Sequence, residues 1–134
     1  MRNIITNNHP LNVDLGILIL RLIFGGMFMY VGYFKLSTYD QTLGMFADPL
    51  GIGMELSLIL VIFAELICGF FVAIGLLTRL SVLPIFILMT VVFFIVHQND
   101  AFIMKQLPFV YWLLCFVIFI FGSGRYSVDR IIFK

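Results

Sequence analysis

Four ionisable side chains lie within or beside apolar stretches of this sequence: Arg21, Lys35, Glu65 and His97. A charged group at bilayer depth is costly unless it is paired or hydrated, so each such group is a functional candidate. Arg21 and Glu65 lie well inside their stretches, whereas Lys35 and His97 lie close to one boundary. A buried carboxyl with an imidazole between it and the outer water suits a proton route. These four residues therefore form a candidate intramembrane polar site.

Aromatic side chains fall at a similar depth in the same half of the membrane. They are Tyr30, Tyr33, Tyr111 and Trp112. Flat rings beside a carboxyl suit a hydrophobic redox ligand such as a quinone, so these residues are candidate ligand-lining positions. Two plainer alternatives stay open. Tyr111 and Trp112 also fit an interfacial aromatic belt, and His97, followed by polar residues, also fits an ordinary loop at a helix end.

Helical spacing places the two deepest charges on faces rich in small residues. The first face holds Arg21, Gly25, Phe28, Gly32 and Lys35, and the second holds Glu65, Cys68, Gly69, Val72 and Ala73. Small residues allow membrane helices to approach closely, so we expect these faces to pack together. With ~1.5 Å rise per residue and a ~30 Å core, the Cα atoms of Arg21 and Glu65 differ in depth by roughly 9 Å. An Arg21–Glu65 ion pair that fixes helix register is therefore feasible.

The composition indicates what kind of scaffold positions these groups. The chain has 134 residues, of which 63% are hydrophobic and 11% charged, and its mean hydropathy is +1.15. A soluble domain carries about 25% charged residues, so lipid must cover most of this surface. Four apolar runs, at about 15–35, 57–77, 80–97 and 107–122, approach the ~17 to 25 residues of a spanning helix. We predict an all-α polytopic membrane protein, a four-transmembrane-helix bundle that forms one domain over 1–134.

Charges outside the runs predict the orientation. One side holds Arg2, Arg79, Arg125, Arg130 and Lys134, and the other holds Lys35 and Lys105. Positive charge favours the cytoplasmic side, so we expect a protein of the cytoplasmic (inner) membrane with both termini in the cytoplasm.

The connections between the runs differ in length. A tight turn at Thr78 and Arg79 makes the second and third runs a hairpin, whereas 36–56 is long for a bundle connection. That segment is either a short amphipathic helix on the membrane surface, followed by a Gly/Pro turn, or a solvated loop.

The C-terminal segment begins with Gly122 and Gly124, which are suited to ending a helix. Beyond them, Ser127 and Asp129 could cap or pair near Arg79 and Arg125. This cytoplasmic-face group either tethers the tail to the bundle or offers a docking surface to a partner.

Several kinds of chemistry find no support in the sequence. Cys68 and Cys115 both lie in apolar runs, without a CxxC motif or a Cys/His cluster with metal-ligand spacing. We therefore expect both cysteines to be packing residues and predict no metal site. A net charge of +1 without a basic stripe indicates no nucleic-acid partner.

Four pieces of sequence, in order, resemble the DoxX family of four-helix membrane proteins. They are LILRLIFGGMFMYVGYFKL, AELICGFFVAIGLLTRLSVLP, His97 at the end of the third run, and GSGRYSVDR. The resemblance runs from about Asp14 to Arg130. It marks Arg21, Lys35, Glu65, Arg79, His97 and Asp129, and it implies a link to quinone-dependent sulfur oxidation or to oxidative-stress complexes.

The leading hypothesis is thus a DoxX-like subunit of a redox complex with a quinone as its one suggested cofactor, and whether it is itself an enzyme stays open. Its expected partners are the lipid bilayer and other membrane or redox proteins, with a homo-oligomer also compatible. The alternative is a non-catalytic accessory or assembly subunit of a larger membrane complex. A small transporter is a third hypothesis, which the lack of broken segments or an inverted repeat disfavours.

Overall fold

The computed structural model describes residues 5–46 and 48–133. Arg2 and Lys134, which contributed to the predicted orientation, lie outside the described residues. The helices are α1 (Val13–Ser37), α2 (Tyr39–Met45), α3 (Met54–Ile74), α4 (Thr78–Val96), α5 (Gln106–Phe121) and α6 (Val128–Ile132). A 3-10 turn at Phe102–Met104 precedes α5.

Three of these helices are long and apolar enough to cross a membrane, namely α1, α3 and α4, with 25, 21 and 19 residues. The protein is therefore a membrane protein, and the regular structure of its described residues is all helical. The fourth predicted span corresponds to α5, which has only 16 residues. At ~1.5 Å per residue it is about 24 Å long, against a ~30 Å bilayer core. Pro108 in its first turn and Gly122, with a φ of 74° just past its end, limit α5 at both ends.

The interior of the bundle is small, and much of the apolar surface faces outward. Buried side chains from α1, α3, α4 and α5 meet in one core, among them Phe24, Val72, Ile85 and Ile118. Long apolar side chains such as Ile23 and Ile87 are each 61% exposed. An outward-facing surface of this kind is stable only when lipid or another protein covers it.

The glycines of α1 bring it against α3, which confirms the predicted packing of the two small-residue faces. A Cβ on Gly25 would lie 2.7 Å from the Ala73 nitrogen, and a Cβ on Gly32 would lie 2.8 Å from the Leu66 nitrogen. Both distances are too short for any real side chain. Only glycine therefore permits this separation of the two backbones.

The segment between α1 and α3 contains the short helix α2 and then a turn organised by Asp48. The Asp48 carboxylate accepts hydrogen bonds from the Gly53 N–H (2.6 Å) and the Ser57 hydroxyl (2.7 Å). The Ser57 hydrogen bond and those from the backbone N–H groups of 51–53 lower the pKa of Asp48 below its ordinary value. Of the two alternatives for this segment, the short helix followed by a turn is the one found.

The bundle has two ends, which differ in their connections and charges. The tail end consists of the 75–77 turn and residues 122–133, and the loop end consists of residues 38–46, 48–53 and 97–105. The Asp129 N–H donates to the Gly75 carbonyl (2.9 Å) and so holds the last helix against the turn. Arg125 and Arg130 therefore lie close to Arg79, which follows the turn in the first turn of α4.

Candidate functional site

A partly buried ion pair joins α1 to α3 near the loop end. Lys35 Nζ lies 2.8 Å from Glu65 Oε1, with the Glu65 side chain 5% exposed and the Lys35 side chain 26% exposed. Gly32 lies one turn before Lys35 and packs against Glu65. A Cβ added at Gly32 would lie only 3.0 Å from the Glu65 Cβ. The absence of a side chain at Gly32 therefore lets Lys35 reach the carboxylate.

Glu65 lies in an irregular part of its helix. Residues Phe63–Cys68 form a π-helical segment within α3. Such segments are rare, widen the helix locally and are frequent at functional sites. The irregularity coincides with the one acidic side chain of α3 that is buried.

The predicted Arg21–Glu65 pair is wrong. The glycine contacts set the register of the antiparallel helices, with Gly32 opposite Leu66 and Gly25 opposite Gly69 and Ala73. Arg21 therefore lies beyond Gly25 and next to Gly75. It is about 16 Å from Gly32 along α1. There its Nη2 donates to the Tyr126 carbonyl of the tail. The depth estimate failed because run boundaries do not specify which residues of two helices face one another.

A cavity of about 160 Å³ adjoins Glu65 between α1, α3, α4 and α5. We call it the Glu65 cavity, and it is lined by Met27, Phe28, Val31, Glu65, Met89, Leu107, Pro108 and Tyr111. The Tyr111 ring packs on Phe28 with centroids 4.7 Å apart. Glu65 Oε2 is buried and has no hydrogen-bond partner among the described residues. A buried carboxyl oxygen without a partner is uncommon and costly.

The other predicted lining residues are elsewhere. Tyr30 and Tyr33 are 71% and 65% exposed on α1. Trp112 donates from Nε1 to the Thr90 hydroxyl (2.9 Å) and stacks on Phe86, with centroids 5.8 Å apart. Of the four predicted aromatic residues, Tyr111 is therefore the one that lines the Glu65 cavity.

His97 does not line this cavity either. Its Nδ1 lies 2.7 Å from Asp100 Oδ2, in the polar segment just after α4. The structure thus favours the helix-end alternative for His97. Nothing in an apolar run distinguishes cavity-lining positions from lipid-facing ones. The sequence therefore did not predict the six apolar lining residues, Met27, Phe28, Val31, Met89, Leu107 and Pro108.

A second polar cluster holds the tail end together. Asp129 accepts hydrogen bonds from the N–H groups of Leu77 (2.7 Å) and Thr78 (3.3 Å) and from the Ser123 hydroxyl. Burial alone would raise the pKa of Asp129, but these hydrogen bonds and the positive charge of Arg21 together lower it. Asp129 therefore ties the tail to the start of α4 through backbone N–H groups, and not through Arg79 or Arg125, near which it was expected from the sequence.

Arg79 and Ser127 have separate roles in this cluster. Arg79 donates from Nε to the Phe119 carbonyl (2.9 Å) and from Nη2 to the Ile120 carbonyl (3.2 Å), so it caps the end of α5. The Ser127 hydroxyl accepts from the Arg130 N–H (3.3 Å) and caps α6. Arg125 is exposed.

Metal ligands do not converge anywhere in the part of the chain that the structure describes, since no three His, Cys, Asp or Glu side chains group together there. Cys68 and Cys115 are buried and free. Among the described residues, the buried charged side chains are Arg21 and Glu65.

A family model, described as DoxX, matches residues 16–98. The chain belongs to the DoxX family. The match covers more than half of the chain and includes most of α1 and all of α3 and α4, with Arg21, Lys35 and Glu65. The resemblance noted in the sequence extended to Arg130, whereas the family match ends before α5 and the tail. Comparisons with curated proteins and with solved structures gave no significant match.

Proposed function

We propose that this DoxX-family protein is a membrane subunit of a redox complex and binds the head of a quinone in the Glu65 cavity. The observation that carries the proposal is the Glu65 carboxyl, which is buried, bonded to Lys35 through one oxygen, and without a partner on the other. Apolar and aromatic side chains surround it. A small apolar pocket with a few convergent polar groups is the usual form of a small-molecule site.

The size of the cavity limits what it can hold. At about 160 Å³ it is smaller than the ~300 to 1,000 Å³ of pockets that enclose whole drug-sized ligands. It suits a single-ring head whose apolar tail stays outside. Met27, Val31 and Leu107 line the cavity and are also 46%, 37% and 57% exposed, so a tail can pass between α1 and α5 into lipid.

The Lys35–Glu65 pair suits proton exchange with such a head. Quinone chemistry supplies the uptake and release of electrons and protons. Lys35 is partly exposed and Glu65 is almost wholly buried, so the pair connects the surface with the cavity. A protonated Glu65 Oε2 can donate a hydrogen bond to a carbonyl oxygen, and an ionised one can accept from a hydroxyl. Because Cys68 and Cys115 are separate free thiols, the electrons in this proposal come from a partner protein.

Quenching of the single tryptophan, Trp112, by a short-tailed quinone analogue tests this proposal in detergent-purified protein. We expect saturable binding that weakens at least about tenfold in Glu65→Gln, because a hydrogen bond to a charged group contributes ~1.5–3 kcal/mol. Glu55→Gln removes an exposed carboxyl from the first turn of α3, and His97→Ala alters the helix end. Both controls should bind normally. Equal dissociation constants for Glu65→Gln and the unmodified protein would refute the site.

We infer further that α5 is the fourth span and that the tail end faces the cytoplasm of a bacterial-type inner membrane. The support is the excess of arginines at the tail end, against Lys35 and Lys105 at the loop end. A C-terminal fusion to green fluorescent protein should fluoresce, and the matching fusion to alkaline phosphatase should be inactive. The reverse pattern would overturn this orientation.

The short α5 supports a second candidate, an accessory subunit that packs against a larger membrane protein. A helix shorter than the bilayer core is accommodated by thinning the bilayer or by association with other helices. Purification in mild detergent followed by mass spectrometry separates the two candidates. A stoichiometric partner without any retained lipid-soluble ligand favours the accessory role, and a retained quinone favours the redox role.

A further inference from the structure

The tail end carries a second cavity, of about 540 Å³, separate from the Glu65 cavity. We propose that this tail cavity binds the head group of an anionic phospholipid, whose phosphate is held by Arg79 and Arg130. The inference does not depend on the quinone proposal, because the two cavities share no lining residue.

Arg79 presents a fixed guanidinium to the cavity. Its Nε and Nη2 are bonded to the Phe119 and Ile120 carbonyls, which leaves three of its five N–H groups for another acceptor. Gly122 packs flat against this guanidinium, since a Cβ at Gly122 would lie 3.2 Å from Arg79 Nη2. A guanidinium held in one plane is suited to bidentate binding of phosphate.

Two further arginines add positive charge. Arg130 lines the cavity, and its side chain forms no ion pair within 5–46 or 48–133. Arg21 does not line the cavity, but its guanidinium lies beside Gly75 and Ser127, and Ser127 is a lining residue. Its Nε and Nη1 are buried without a partner among the described residues, so its charge is only partly offset there.

Asp129 also lines the cavity, but its carboxylate already accepts hydrogen bonds from within the chain. Its carboxylate accepts from two backbone N–H groups at the start of α4 and from Ser123, so its charge is directed at the helix N-terminus. The three arginines therefore outnumber the one carboxylate that faces this region in the described chain.

The rim of the cavity is apolar, which identifies a lipid rather than a free anion as the occupant. Leu80, Phe121 and Phe133 are cavity-lining side chains with 61%, 51% and 63% exposure. Ile131 and Ile132 continue this exposed apolar surface along α6. Basic pockets at the end of a helical bundle are typical sites for anionic head groups, with the acyl chains packed on apolar side chains nearby.

Native mass spectrometry of the full chain in detergent tests the proposal with phosphatidylglycerol as the probe. We expect tighter binding of the first phosphatidylglycerol than of phosphatidylcholine. Arg130→Gln should weaken it roughly fivefold, the effect of one basic side chain at a membrane surface. Arg79→Gln should weaken it at least as much. Because Arg79→Gln also removes the cap of α5, Arg130→Gln is the decisive variant.

Arg125→Gln is the matched control, since Arg125 is exposed on the same tail but does not line the cavity. It should change phosphatidylglycerol binding less than about twofold, as expected for a peripheral charge. Equal affinity for the two lipids, or equal losses in Arg130→Gln and Arg125→Gln, would overturn the proposal. Displacement of the lipid by millimolar inorganic phosphate alone would show a free-anion site and would also overturn it.

Discussion

The loop end and the tail end each bury one charged side chain from the same pair of helices, but they surround it differently. Glu65 has one ionic partner, Lys35, and borders a cavity. Arg21 is packed under Gly75 and Ser127 and bonded to the tail backbone. Arg21 therefore ties the tail to α1, whereas Glu65 lines a cavity, although both side chains keep buried polar atoms without a hydrogen-bond partner among the described residues.

Gly75→Ala should reduce stability the most, because Gly75 packs directly against Arg21 and Ser127. Gly75 has a φ of 78°, and an added Cβ would overlap Arg21 Nη1 and the Ser127 Cβ. Backbone strain of ~1–3 kcal/mol and overpacking of ~1–3 kcal/mol together predict a loss of about 4 kcal/mol in free energy of unfolding. Chemical unfolding in detergent, followed by circular dichroism, measures it.

Gly51→Ala is the control for Gly75→Ala. Gly51 has a φ of 69° but nothing within 4 Å of an added Cβ, so it carries only the backbone cost, about 1–2 kcal/mol. Equal losses at the two positions would show that Arg21 and Ser127 do not confine Gly75.

Lys35→Met should give the next largest effect, because it leaves the Glu65 carboxylate without an ionic partner. We expect a loss of about 2 to 3 kcal/mol, below the ~3–5 kcal/mol of a fully buried pair because Lys35 is partly exposed. The double variant Lys35→Met with Glu65→Gln should recover much of this loss in the same unfolding experiment. Additive losses would mean that the two side chains are not coupled.

Gly32→Ala tests how closely α1 and α3 must approach for the Lys35–Glu65 ion pair to form. Its Cβ would lie 2.8 Å from the Leu66 nitrogen, so the helices must separate at a cost of about 1–2 kcal/mol. Gly26→Ala, on the open side of α1, should instead stabilise by up to ~1 kcal/mol, since alanine favours helices. Thermal unfolding of the two variants checks this, and a shift of the same sign in both would contradict the register.

Acidification should give the smallest and most local effect, at the tail end. Because the pKa of Asp129 is lowered in the folded protein, its ionised form stabilises the fold at pH values above the ordinary pKa of aspartate. This contribution is lost as the pH falls through the folded-state pKa. We expect the tail to resist trypsin at neutral pH, and residues 122–133 to exchange amide hydrogens faster in acid. In Asp129→Asn, hydrogen exchange of the same residues should not depend on pH. Identical profiles for both proteins would exclude this role of Asp129.

The helices and the faces through which α1 and α3 meet were predictable from the sequence, but the side chain that pairs with Glu65 was not. Apolar runs and small residues at helical spacing are local patterns, and they correctly indicated the α1–α3 contact. The partner of Glu65 depends on the relative register of two helices, which Gly25 and Gly32 determine only once their opposite residues are known. The Glu65 cavity was not predictable, because Met27 and Leu107 look like any lipid-facing residues.

Photolabelling with an azido-quinone tests the central claim most directly, because it locates the ligand without relying on a variant. After irradiation of the protein in native-like membranes, peptide mass spectrometry should find the label on Met27, Val31, Leu107 or Tyr111, and excess unlabelled quinone should abolish it. Labelling confined to the tail end, or spread evenly over lipid-facing residues regardless of competitor, would contradict a quinone site beside Glu65.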